Sequence, residues 1–267
     1  MRKDYIQATA PADHETEFVE KYWTAVWERE GGPQGQIDLI PRREEYRAMS
    51  SCLAKLPRGA RILDGGCGLG DWTMYLARQG YSVAGLDLSR ETIGQLQVRF
   101  PEAEFAAGDI RHTAYADAEF DAYFSWGVFE HFEAGLQPCI VEAFRVLKPG
   151  GYLFISVPLD NVRHGILGAL RRGTPAGGTL RFYQWRLTQA ELANELAIGG
   201  FDVIRTHPIH KRQGVLRSLH HECGLPYRWF LTKGLSVALA PFVPGSFIAH
   251  MLFAVARKPL GGASGAA

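Results

Sequence analysis

Two aspartates, each closing an apolar run, are the residues of this chain best placed for ligand chemistry. Arg61-Ile62-Leu63 runs into Asp64 and the turn Gly65-Gly66-Cys67-Gly68-Leu69-Gly70, and a second run, Tyr81 to Leu86, ends on Asp87. Glycine lacks a Cβ, reaches positive φ and lets a ligand approach the backbone closely. An acid ending the second strand of such a unit is placed for the hydroxyl pair of a ribose. The spacing Gly66-x-Gly68-x-Gly70 followed by Asp71 breaks the dinucleotide pattern G-x-G-x-x-G. An aspartate at a helix start also opposes a diphosphate, which a helix N-terminus otherwise favours. The turn suits a ligand without phosphates, and a nucleotide-dependent dehydrogenase fits it less well.

These residues need elements to position them, and the punctuation of the chain supplies a set. Strand patterns at 61–64, 82–87, 104–107, 122–125 and 152–157 alternate with helix patterns at 71–79, 90–99 and 136–147, after two opening helices at 15–29 and 42–56. Such alternation predicts an α/β fold, a doubly wound, mostly parallel sheet with helices on both faces. The pattern changes after Pro158. Residues 159–186 form a Gly/Arg-rich insertion centred on Thr174-Pro175-Ala176-Gly177-Gly178. Thr188 with Glu191 makes a capping box for a helix that closes at Gly199-Gly200. Strands follow at 201–207 and 249–257, separated by a second insertion at 208–247. Both insertions leave strand ends or the sheet edge, where open α/β folds bind ligands, and they predict a lid.

The chain resembles the class I S-adenosylmethionine-dependent methyltransferases. Asp64 to Gly70 is similar to that family's first motif, and Asp87 matches its ribose acid. Ala107-Gly108-Asp109-Ile110 resembles the third-strand motif, Phe120 to Phe132 the fourth strand with its exit loop, and Phe144-Arg145-Val146-Leu147-Lys148-Pro149-Gly150-Gly151 the turn before the fifth. The resemblance implies a Rossmann-like sheet of seven strands, the last antiparallel, and S-adenosylmethionine as cofactor. It implies a cofactor-binding set of Asp64, Gly66, Gly68, Gly70, Asp87, Leu88, Asp109, Ile110 and Ser125, with Asp109 accepting from the adenine amine. Residues 1–57 would form an N-terminal helical cap, 58–260 the methyltransferase domain with its two lid insertions, and 261–267 a disordered tail. The expected reaction is methyl transfer to a small-molecule acceptor, first of all a hydroxyl of a sugar, a lipid-linked compound or a natural product. N- or C-methylation is the alternative, and a non-catalytic cofactor-binding scaffold is the reading from another class. The motifs leave the acceptor and the oligomeric state open.

Composition narrows the partners. The 267 residues are 46% apolar, enough for a sizeable core, and a net charge of +1 gives no affinity for polyanions by itself. There is no basic tract with interleaved aromatics, so nucleic acid is not expected as a partner. Charge is unevenly spread: residues 1–157 carry 16 Lys/Arg against 23 Asp/Glu, and residues 158–267 carry 13 against 5. The acidic part holds the motifs for a sulfonium cation; the basic part points to an anionic acceptor or surface, with ordinary solvated charge as the plainer account. Cys52, Cys67, Cys139 and Cys223 lack metal or disulfide spacing. Residues 1–12 are polar, without a signal-peptide pattern, and the expected location is cytoplasmic.

His131 is the first candidate for a catalytic base, because it follows the fourth strand close to where a methyl group would sit. The same place suits a residue that only shapes the pocket, and Glu130 shares it. His207, His210, His220 and His221, with Glu222 and Cys223, read as polar lid residues; their spacing does not converge on a metal, and no metal site is expected. Trp23 and Trp27, at i and i+4, read as core-facing, with a cover over the sulfonium as the other reading, worth on the order of 1 kcal/mol. Residues 229–240 read as a buried lid helix or, with Arg228 and Lys233, as a peripheral membrane contact. Lys233, Pro241 and Pro244 interrupt any run long enough to span.

Overall fold

The computed structural model describes residues 1–7, 14–29, 36–170 and 180–260. The glycine-rich centre expected at 174–178 and the tail 261–267 lie outside the described residues. In chain order, strand β1 (Arg2–Gln7) and helix α1 (Glu15–Arg29) come first, and a 3-10 turn (Gln36–Arg42) leads to α2 (Glu44–Leu53). Then β2 (Arg61–Gly65), α3 (Asp71–Arg78), β3 (Ser82–Asp87), α4 (Arg90–Arg99), β4 (Glu104–Ala107), β5 (Phe120–Trp126), α5 (Gln137–Val146) and β6 (Leu147–Pro158) alternate. Beyond them lie α6 (Val162–Leu170), β7 (Leu180–Arg186), α7 (Gln189–Ile198), β8 (Asp202–Ile209), α8 (Lys211–His221), α9 (Phe230–Leu239), α10 (Gly245–Ile248) and β9 (Met251–Arg257).

Seven of these strands form one sheet in the order β4-β3-β2-β5-β6-β9-β8. Strands β2 to β6 are parallel, and β9 runs antiparallel to both β6 and β8. Helices cover both faces, so the central strands are buried along nearly their whole length, as parallel strands must be. Leu63 and Tyr123 pack on one face, Ile62, Phe124, Phe154 and Phe253 on the other. The chain order reverses between β2 and β5, which leaves a crevice at their carboxyl ends. Local chemistry sets the helix starts. Ser89 caps α4 by accepting from the Thr92 amide, and Thr188 with Glu191 forms the full reciprocal capping box on α7.

The N-terminal segment is more than the helical cap read from the sequence. Its first residues are a strand, β1, paired antiparallel with β7 from Arg2↔Arg186 to Gln7↔Leu180. Side chains fix this ribbon: Asp4 pairs with Arg186 at 2.5 Å, Lys3 with Glu133 at 2.7 Å, and the Trp185 indole donates to the Phe132 carbonyl at 3.1 Å. The ribbon ties α1 and the first insertion to the carboxyl edge of the sheet.

Candidate functional site

A cavity of about 620 Å³ occupies that edge at the ends of β2, β3 and β5. This is within the size range of sites for cofactor-sized ligands. One wall is backbone, at Gly66 and Gly68, continued by Asp87, Leu88 and Ile110. Gly66 has φ 83, and a Cβ there would lie 2.4 Å from Val128 Cγ2; Gly68 has φ 50, and its Cβ would lie 2.9 Å from the Trp27 ring. Both positions therefore exclude a side chain, and the wall stays open to a ligand. The other wall is aromatic, with Trp23, Trp27, Trp72 and Trp126, and it carries the guanidiniums of Arg29, Arg43 and Arg228. None of these three arginines forms a salt bridge among the described residues, although, against the burial that raises it, Arg43 draws down the carboxyl of Asp71, which also lines the cavity.

The two acids at the strand ends differ in placement. Asp87 lines the cavity and accepts from the Gly68 amide through Oδ2 and from the Ser89 amide through Oδ1, both at 2.9 Å, and a carboxylate oxygen has capacity for a further bond. Asp64 sits beneath the turn, 2% exposed, and accepts from the Thr73 hydroxyl at 2.6 Å. Burial raises both carboxyls, Asp64 to about 7, with Asp87 and Asp71 adding repulsion at Asp64 and Glu20 adding it at Asp87. Neither is paired with a Lys or Arg among the described residues. A cationic ligand beside them supplies what the chain withholds.

The structure thus brings Gly66, Gly68, Asp87, Leu88, Ile110 and His131 to the cavity and leaves four expected residues behind it. Asp64 is floor. Gly70, φ 75, starts α3 and packs against Leu96 and Phe105. Ser125 donates to the Gly65 carbonyl at 2.6 Å and holds the turn in place. Asp109 does not face the cavity with a free carboxylate: Arg111 takes both oxygens, at 3.0 Å and 2.7 Å, and reaches on to Glu15 and Thr16 of α1, both at 2.8 Å. Arg111 also lies over the Phe132 ring at 4.1 Å. This arginine, unremarked in the sequence, is what fastens α1 over the edge.

His131 lines the cavity and is 5% exposed. Its Nδ1 lies 2.8 Å from the Tyr183 carbonyl, which only accepts, so Nδ1 carries the hydrogen and Nε2 the lone pair. Burial holds the ring down to about 4, against the pull of the Tyr183 and Gly127 carbonyls, so it is neutral at pH 7. Glu130 does not share the cavity. It is buried, Oε2 has no partner among the described residues, and burial pushes the carboxyl up to about 8. Trp23 and Trp27 are not core: they stack at 5.1 Å, and Trp23 meets the His131 ring edge-on at 5.1 Å. The Nε1 atoms of Trp27 and Trp126 are buried without partners among the described residues, two donors that a ligand can satisfy.

The later histidines diverge. His210 bonds Glu45 at 3.0 Å, His207 packs on Phe253, and His220 Nδ1 faces the Leu225 carbonyl. Among the described residues no group of three or more His, Cys, Asp or Glu side chains could hold a metal ion. Helix α9 is not the buried lid helix that its apolar sequence suggests. Its fully buried residues are Thr232 and Ser236, whereas Phe230 is 73% and Val237 52% exposed, with Leu231, Leu235 and Leu239 also outside. No helix among the described residues is long and apolar enough to cross a membrane.

Comparison with known proteins now decides the family. Residues 63–155 match the family described as methyltransferase domain. An uncharacterized methyltransferase of Synechocystis is 33% identical over 153 residues, 56% of this chain and 70% of that one. The chain belongs to the S-adenosylmethionine-dependent methyltransferases. Another member, a ubiquinone biosynthesis O-methyltransferase of Alkalilimnicola ehrlichii, is 31% identical over 168 residues, 59% of this chain and 65% of that one. The first curated relatives are spanned over roughly half to 70% of their length. Among solved structures, the Burkholderia thailandensis 1,6-didemethyltoxoflavin-N1-methyltransferase with S-adenosylhomocysteine superposes with a TM-score of 0.56 at 20% identity, covering 97% of this chain and 96% of that one. The methyltransferase uses S-adenosylmethionine, and its backbone wall, unpaired acids and free indole donors fit that cofactor.

Proposed function

We propose that this methyltransferase acts on a hydroxyl of a small acceptor that is anionic or lipid-linked. The composition of the cavity carries the reading: a backbone wall with the acids Asp71 and Asp87 faces an aromatic wall bearing three arginines and a neutral imidazole, and Arg43 is close enough to Asp71 to draw its carboxyl down against burial, which leaves Arg29 and Arg228 for an anionic group. Bound along β2 and β3, the cofactor supplies a methyl group made electrophilic by its sulfonium. Asp87 would hold the ribose hydroxyls, Leu88 and Ile110 would pack the adenine, and the turn 66–70 would face the amino-acid part. Arg29 and Arg228 draw an anionic acceptor toward the rings, and Trp23 and Trp27 exclude water and align the partners. His131, always in its base form near neutrality, takes the hydroxyl proton at Nε2.

Helix α9 supports the lipid-linked part. Its outward apolar residues adjoin Arg228 in sequence, and no Asp or Glu occurs after Glu222. Such a face suits the boundary of an anionic bilayer. N-methylation is the second reading, favoured by the likeness to the N1-methyltransferase. The test is a panel of phenols, sugar hydroxyls, quinols and amines, free and lipid-linked, scored by S-adenosylhomocysteine release and a one-methyl mass increase. Transfer to amines alone would overturn the hydroxyl assignment. His131→Gln should lower kcat on the order of 100-fold with KM nearly unchanged. The wild-type pH–rate profile should lack an imidazole limb between pH 6 and 7, because the ring titrates at about 4; an ordinary limb there would remove His131 as the neutral base.

A further inference from the structure

We propose that a second cavity, walled by α6, α8 and the β1–β7 ribbon, binds a phosphate dianion. It encloses about 340 Å³ and shares no lining residue with the cavity above. Arg2, Arg163, Arg186 and Arg217 all reach it. Three have carboxylate partners: Asp160 at 3.2 Å from Arg2, Asp4 at 2.5 Å from Arg186, and Glu222 for Arg163. Arg217 has none among the described residues; its Nη1 lies 3.4 Å from His250 Nε2.

The two imidazoles decide what the cavity lacks. A guanidinium only donates. Arg163 Nη2 stands 2.9 Å from His164 Nε2, and Arg217 faces His250 Nε2, so both Nε2 atoms accept and both Nδ1 atoms carry hydrogen. His164 Nδ1 is buried with no partner among the described residues. The only carboxylate in the lining among the described residues, Glu222, already accepts from Arg163 and from the Ser218 hydroxyl. The wall is therefore rich in donors and short of acceptors. An oxyanion with two charges answers that shortage, and the planar fork of arginine matches phosphate geometry. Burial and the neighbouring arginines hold His164 and His250 down to about 3, with Asp4 pulling His164 the other way and His210 adding to the field at His250. His221 completes the titratable lining. A bound dianion reverses the sign of that field, so binding should take up protons.

A soluble phosphomonoester and the headgroup of an anionic lipid share this chemistry. Titration of the full chain with inorganic phosphate, in two buffers of different ionisation enthalpy, tests the site. The expected result is binding with proton uptake, weakened on the order of tenfold in Arg217→Gln, with the melting temperature and S-adenosylhomocysteine affinity unchanged. Displacement of phosphate by phosphatidylcholine vesicles only when they contain phosphatidic acid would support the site and name the lipid source. Displacement by glycerol phosphate but not by vesicles would support it and name the soluble one. No binding at millimolar phosphate, or equal binding in wild type, Arg217→Gln and His164→Phe, would overturn it. The assignment does not rest on the acceptor reading, since phosphate binding can be intact while methyl transfer to hydroxyls fails.

Discussion

The carboxyl edge of the sheet has opposite electrostatics at its two ends. Beside β2 and β3, buried carboxylates receive only N–H and O–H groups and no cation. Beyond β6, arginines and imidazole N–H groups exceed their acceptors. Unpaired buried charge is costly in a folded chain. The two ends thus leave deficits of opposite sign, the contrast on which the two proposals for a cationic and an anionic ligand rest. The division follows the sequence, whose first 157 residues are net acidic and whose remainder is net basic.

The contrast is most easily broken at its acidic end. Asp87→Ala should lower S-adenosylhomocysteine affinity about 100-fold, roughly 2.7 kcal/mol, with the circular dichroism spectrum unchanged. Unaltered affinity by calorimetry would strip the β2–β3 end of its ligand. A smaller effect comes from Glu130, whose carboxyl titrates at about 8 in the folded chain against 4.5 ordinarily. The native state then holds a proton that the unfolded chain releases, so stability falls as pH rises from 4.5 to 8. In Glu130→Gln that loss disappears, and the melting temperature of the variant should gain on wild type steadily across the window. His131 acts in the other direction. With its pKa at about 4 against 6.5, stability is lost as pH falls through that range, and this acid limb should persist in Glu130→Gln. Parallel melting curves at every pH would show that Glu130 is ionised when folded. The smallest effect is on α9. Leu235→Ser should change stability by no more than about 0.5 kcal/mol, whereas Ser236→Leu, one residue on but fully buried, should cost about 1–3 kcal/mol. Vesicle binding lost in Leu235→Ser alone would sharpen the assignment of that face to a bilayer.

The parallel strands and helix caps were legible because each declares itself within a few residues: an apolar run ending on Asp64 or Asp87, Thr188 three residues before Glu191. The place of Asp87 in the cavity wall was legible for the same reason, since its partners are the adjacent Ser89 amide and the glycine turn. Asp109 was not, because its fate depends on Arg111 and on α1, a contact spanning 95 residues to Thr16. Strand β1 was hidden as well. It is polar, shows no alternation, and finds its partner at Arg186 through Asp4, 182 residues away. Helix α9 misled in another way. Its composition is that of a core helix, and only tertiary packing shows that Thr232 and Ser236 face inward.

The ribbon between β1 and β7 also has a consequence for the order of events during synthesis. A chain emerges from its N-terminal side, so β1 is made well before the strand it pairs with. Its partner, Leu180–Arg186, follows after the strands bearing Asp64, Asp87 and Ser125 have all left the ribosome. Strand β1 thus waits for its partner while the parallel sheet assembles, and closing so long a loop is slow. The cover over the cofactor wall is fastened from both of its anchors only once most of the molecule exists.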